Sequence, residues 1–169
     1  MKRMAGVESR WGDLAWRFGP PVIWMVIISS VSTDPFSSEH TSRYIEPLLR
    51  WLLPGAAAAT IDLLHTGIRK TAHLAEYGVL ALLWYRALRQ PGGGWQLRGA
   101  LRAFAIVVAC ALVDEFHQLF VPSRGASLAD VGLDSLGAAL GLAVGGVIQR
   151  MQPVIGNRIK PNAGGRGHA

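Results

Sequence analysis

The sequence predicts an all-α polytopic membrane protein with four transmembrane helices and an amphipathic extracytoplasmic segment between the first and second. Three observations carry the prediction. Half of the 169 residues are hydrophobic and only 17% are charged, whereas a soluble domain carries about a quarter charged residues. Four apolar runs, 18–33, 71–88, 103–121 and 131–149, recur along the chain, each tolerating an occasional ionisable residue near one end. None is charge-free over the roughly 20 residues that span a hydrocarbon core, so the ends of the runs carry the better evidence.

Those ends sort by charge. The N-terminal segment, the connection between the second and third runs and the C-terminal tail hold 12 of the 17 cations with only Glu8 and Asp13 as acids. The other side holds five cations and nine acids, so the formal charge divides into +10 and −4. Short loops rich in Lys and Arg stay cytoplasmic, which predicts that both termini are cytoplasmic and the acidic connections lie outside. The chain then reads as a cytoplasmic segment over 1–17, a membrane domain over 18–150 and a basic tail over 151–169. The tail is expected to be disordered, cytoplasmic and able to touch anionic lipid.

Three other classes fit less well. A nucleic-acid-binding chain gathers its cations into one footprint, but here apolar runs separate three basic segments, so no nucleic-acid partner is expected. A soluble helical protein is disfavoured by the small residues of the last run. A signal peptide is disfavoured because a 17-residue polar leader with two acids is a poor n-region. The single cysteine, Cys110, excludes an intramolecular disulfide and argues against a cysteine metal site. No metal and no cofactor is expected.

Along the chain, Gly19, Pro20 and Pro21 read as a helix start, where missing amide hydrogens cost little, and Asp34 with Pro35 reads as its stop. The following stretch, IEPLLRWLLPGAAAATIDLLH, is apolar but broken at Pro54 and Gly55. It is expected to lie on the outer surface rather than cross again, with His40 and His65 as surface residues. Gly137, Gly141 and Gly145 in the last run are four apart and share a helix face that lets backbones approach closely. The same face serves helix packing or, in a second reading, a homo- or hetero-oligomer.

Ionisable groups gather at the predicted outer ends. Lys70, His73, Glu76 and Tyr77 open the second run at spacings of three and four, largely on one helical face. Asp114, Glu115 and Gln118 close the third. The turn-like VPSRGAS presents Arg124, and Asp130 and Asp134 open the fourth. Each has a plain explanation: Asp130 favoured by the helix dipole, His73 packed in a core, Arg124 snorkelling or paired with Asp130, Gln118 bonded to a neighbouring helix. Glu76 and Glu115 resist such readings, because a carboxylate inside an apolar span is costly unless paired or protonated.

The blocks RKTAHLAEYGVLALL and DEFHQLFVPSRGASLADVGLDSLGAALG resemble the VanZ-like family of small bacterial integral membrane proteins. The signature falls on Lys70, His73, Glu115, Gln118, Pro122, Arg124, Asp130, Gly137 and Gly141, and the resemblance covers about 19–150. Where the family commonly has Asn four residues after the Asp, this chain has Asp134, which puts an amide-dependent contact there in doubt. The resemblance implies a multi-pass protein of the bacterial cytoplasmic (inner) membrane. The family's namesake is associated with resistance to teicoplanin, but the family has no settled biochemical activity.

Three functional expectations follow. In the first, the outer cluster binds the anionic headgroup of a membrane lipid or lipid-linked envelope intermediate, with Lys70 and Arg124 as phosphate partners and Glu76, Asp114, Gln118 and Asp134 completing the site. A variant of it adds chemistry, with His73, Glu115 and Asp130 as candidate acid–base residues, which must then stand within hydrogen-bond reach of a substrate. In the second, the protein is a structural accessory that assembles through the glycine face. The third, a transporter or proton path, is disfavoured because relays need ionisable groups through the membrane's depth and the inner halves of these runs are apolar.

Overall fold

The computed structural model describes residues 2–31, 38–90, 94–120 and 127–159, with side chains described over 11–30, 43–90, 94–120 and 127–151. The chain is all-α: α1 (Lys2–Val31), α2 (Ser38–Leu52), α3 (Ala58–Leu88), α4 (Leu97–Gln118) and α5 (Leu128–Ile159), with no strand among the described residues. Arg124 and Pro122, together with Asp34, Pro35 and residues 160–169, lie outside the described residues.

The longest contact runs between α3 and α5. A Cβ added to Gly137 would meet the Leu74 backbone, one on Gly141 would come within 2.5 Å of the Gly78 carbonyl oxygen, and one on Gly145 would meet the Leu82 side chain. The numbers rise together on both helices, so α3 and α5 run parallel, and glycines every fourth residue let them pack backbone on backbone. Gly78, on α3, is the counterpart from the facing helix. In this fold the glycine face is filled by α3 of the same chain, and an oligomer using it would first have to displace that helix.

Helix α1 runs antiparallel to α3 and is tied to it at two levels. Arg17 donates from Nε and Nη2 to the Ala87 carbonyl oxygen at 3.2 and 2.7 Å, satisfying an orphan carbonyl at the end of α3 with a cation that suits the dipole. Trp24 Nε1 donates to the Glu76 carbonyl oxygen at 3.0 Å. At the same end as Arg17, Tyr85 stacks on Trp95 with centroids 4.2 Å apart, and its hydroxyl accepts from the Gln96 N–H that leads into α4. Helices α1, α3, α4 and α5 therefore alternate in direction. Tyr77, Leu80, Ala81, Ala103, Val107, Ala111 and Ala138 form the buried centre.

Several expected boundaries move. The first helix does not start at Gly19: α1 begins at Lys2 and carries Pro20 and Pro21 inside it. Proline's fixed φ is helical, so the missing donors affect only the carbonyls one turn earlier. The break at Pro54–Gly55 stands where expected, as a turn closed by Ala56 N–H on the Leu53 carbonyl. The chain before it forms the strongly amphipathic α2. After it, α3 begins at Ala58 rather than residue 71, because an Ala-rich start favours helix where the polar Asp62, Arg69 and Lys70 interrupt the apolar run. His65 is consequently not a surface residue: it is 4% exposed and its Nε2 has no hydrogen-bond partner. Helix α5 continues to Ile159, past the point where the tail was expected to lose structure.

Candidate functional site: a polar cluster across three helices

The cluster begins where the glycine seam ends. One turn before Gly137, Asp134 is 3% exposed, and its Oδ1 lies 3.5 Å from His73 Nδ1 on α3. That distance suits an ion pair when the imidazole is protonated, but it is too long for a good hydrogen bond. Asp134 Oδ1 accordingly has an electrostatic neighbour and no close donor. With Nδ1 facing Asp134, His73 Nε2 is the ring nitrogen left for another partner, and the His73 side chain is 27% exposed. Asp134 thus gives His73 a carboxylate.

Helix α4 contributes buried groups from its last turn. Asp114, Glu115 and Gln118 are each less than a tenth exposed. Gln118 Nε2 points to Asp114 Oδ2 at 3.5 Å, a similarly long contact, so Gln118 turns to its own helix rather than to a neighbouring one. Glu115 Oε2 accepts from the Ser127 backbone N–H at 2.7 Å. Ser127 immediately precedes α5, and Ser127–Leu128–Ala129–Asp130 has the spacing of a capping box, whose third helical residue normally accepts that N–H. Glu115 supplies the acceptor instead, from a different helix. It fixes the end of α4 to the start of α5 and places a carboxylate at the positive end of the α5 dipole.

The remaining predicted residues divide. Glu76, half-buried on α3, lies within electrostatic reach of His73, Asp134 and Asp114. Asp130 sits in the first turn of α5, as its dipole reading expects, and within electrostatic reach of Glu115. Lys70 is exposed. The cation within electrostatic reach of His73 is Arg69, one residue earlier and four before the histidine. His73 is partnered by Asp134, not by Glu115 or Asp130, so the three candidate acid–base residues do not form one contact set.

The sequence reading missed His117 and Ser29. Both line a cavity of about 270 Å³ between α1, α3 and α4, together with Tyr77 and Asp114. His117 had a signal, three residues after Asp114 in DEFHQ. Ser29 had none, because only folding brings α1 to α4. Among the described residues, no group of three or more His, Cys, Asp or Glu side chains is placed to hold a metal ion.

Residues 21–149 match the VanZ/LLP1 family. The match covers most of the chain and every residue of the cluster, and the chain belongs to that family. No curated relative and no solved structure matches it.

Proposed function

We propose that this protein is a four-span protein of the bacterial cytoplasmic membrane that binds a lipid or lipid-linked envelope component at the outer ends of α3, α4 and α5. The membrane reading rests on length, surface and charge. At 1.5 Å per residue the shortest of the four long helices, α4 with 22 residues, is about 33 Å long, enough for a hydrocarbon core of roughly 30 Å. Among the described residues, one helix, over Leu128–Met151, is both long and apolar enough to cross by length and composition, and only 33% of its apolar window is buried within the protein. A core helix of a soluble protein would be mostly buried. Val22, Ile23, Val113, Leu140 and Val144 are likewise exposed, while Trp11 and Trp16 flank one end and Tyr44 and Trp51 the other, in the manner of interfacial aromatic belts.

The single observation that carries the site is the His73–Asp134 pair, which joins a reachable imidazole to a buried carboxylate across the two most tightly packed helices. A protonated His73, with Arg69 and Lys70 just before it on α3, suits a phosphate. Glu115 is assigned a positioning role, through Ser127. Binding alone accounts for this arrangement, and the chemistry of a His oriented by an Asp is available to it.

The test is a deletion strain exposed to teicoplanin and complemented at matched membrane abundance with wild type, His73→Ala or Asp134→Leu. The reading expects only the wild type to restore resistance, and the lipid profile of the variants to match that of the deletion. Equal behaviour of all three removes the cluster from this phenotype.

A further inference from the structure

Helix α1 packs on α3 but stands off from α4, and the gap is a slot. Its inner chamber, about 270 Å³, is lined by Met25, Ile28, Leu80, Cys110, Asp114 and His117, among others. An adjoining groove of about 370 Å³ shares Met25, Ser29 and His117 and continues along the exposed face of α1 past Val22 and Val26. The slot is graded. Because α1 and α4 run the same way and α3 the opposite way, Ser29, Tyr77, Asp114 and His117 mark its outer end, and Met25, Leu80 and Cys110 its inner end. Polar groups stand at the headgroup side and apolar ones toward the membrane's middle. Asp114 is 8% exposed overall, yet forms part of the slot wall.

We infer that this slot is the lateral entry for one hydrocarbon chain of a lipid whose headgroup carries an ammonium, placed against the Asp114 carboxylate. The inference rests on the membrane and lipid-binding reading above and names the ligand class for it. Size argues for a single chain: pockets that enclose a whole drug-sized ligand measure roughly 300–1,000 Å³, and the inner chamber falls just below that. Charge argues for the ammonium. Asp114 lines the slot and lies within electrostatic reach of Glu76 and Asp134, so negative charge gathers around the one carboxylate in the slot wall, and Asp134 Oδ1 is buried without a close donor. A lipid bringing only negative charge would meet repulsion here. A zwitterionic aminophospholipid offers its ammonium to Asp114 and its phosphate to the cationic side of the cluster near His73 and Arg69.

The test uses the full-length protein in detergent, titrated with dioleoyl phosphatidylethanolamine or dioleoyl phosphatidylglycerol and read by native mass spectrometry. The wild type is expected to bind the amine-bearing lipid on the order of tenfold more tightly, the scale of one charge-assisted hydrogen bond. Asp114→Asn should bring that ratio close to one. Ser29→Phe and Val113→Phe, which fill the slot from α1 and α4 at exposed positions, should weaken both lipids. Equal affinity for the two lipids in the wild type, or unchanged binding in both Phe variants, overturns the inference. Alkaline carbonate extraction of native membranes separates the two levels of failure. A protein that stays in the membrane but shows no slot-dependent preference fails this inference alone, whereas a protein released by carbonate fails the membrane reading and this inference with it.

Discussion

Two interfaces of the same bundle are built on opposite terms. Along α3–α5, Leu74, Gly78 and Leu82 meet Gly137, Gly141 and Gly145, with facing backbone leaving no room for a Cβ at Gly137 and Gly141. Along α1–α4, Met25 and Ser29 face Cys110, Asp114 and His117 across a cavity, bridged where Cys110 Sγ donates to Met25 Sδ at 3.8 Å. The first interface has lost its side chains and the second has kept them without closing. The difference teaches that close packing and open space are separated in this protein: the seam holds His73 opposite Asp134 in register, and the gap leaves Asp114 on a cavity wall.

The sharpest way to break the comparison is to put a side chain into the seam. Gly141→Leu places carbon where the Gly78 backbone already stands, and since backbone cannot move aside cheaply, we expect a cost of about 3 kcal/mol or more. It should appear as loss of the monodisperse peak in detergent-solubilised size-exclusion chromatography. Recovery of normal protein would mean that α3 and α5 are free to separate.

The pair at the end of the seam comes next. His73→Ala strands a buried carboxylate, and Asp134→Asn leaves an amide of similar shape, so His73→Ala should destabilise by roughly 1–3 kcal/mol and by more than Asp134→Asn. Thermal unfolding in micelles measures both, and the reverse order would show that the imidazole does not compensate Asp134.

Glu115 is a smaller lever. Replacing it with Ala removes the acceptor for Ser127 N–H and should cost about 1–2 kcal/mol, the scale of a helix cap, while Glu115→Gln retains an acceptor oxygen and should cost less than half of that. Hydrogen exchange at the start of α5 is the direct readout, with protection falling in the Ala variant first.

Smallest of all are changes on the open side. Ser29→Phe should stay within about 0.5 kcal/mol of wild type, as exposed substitutions do. Gly132, with nothing within 4 Å of an added Cβ, should accept Ala with a gain of about 0.5–1 kcal/mol from helix propensity. A large loss at Ser29 would mean that the α1–α4 gap is as intolerant as the seam.

Much of this was legible beforehand because it depends on spacing along one helix. The glycines every fourth residue and the break at Pro54–Gly55 are local patterns, and each stands where the residues placed it; Gln118, expected to bond a neighbouring helix, turns to Asp114 on its own helix instead. Helix ends were less legible. Pro20–Pro21 looked like a start, and the polar stretch before residue 71 looked like a surface connection, because an apolar run records what can sit in lipid whereas a helix continues as far as its backbone bonds allow. His65 was misplaced for the same reason: once α3 extends back to Ala58, that side chain lies in the protein interior. Arg69 and Lys70 show the limit of resolution, since neighbouring cations point about 100° apart on a helix and the motif alone favoured the exposed one.

The sequence by itself determined the all-α class and the family, and its spacing singled out His73, Asp114, Glu115 and Asp134 as polar groups at helix ends. All of these follow from composition, from motif spacing and from the 3.6-residue period. Only the tertiary structure decided the partners: Asp134 with His73, Glu115 with the amide ahead of α5, and Asp114 with a slot whose far wall comes from α1. Those contacts join residues 12 to nearly 90 positions apart, and their existence depends on how closely each pair of helices approaches. Approach is set by the side chains on both faces at once, which no single helix's pattern contains.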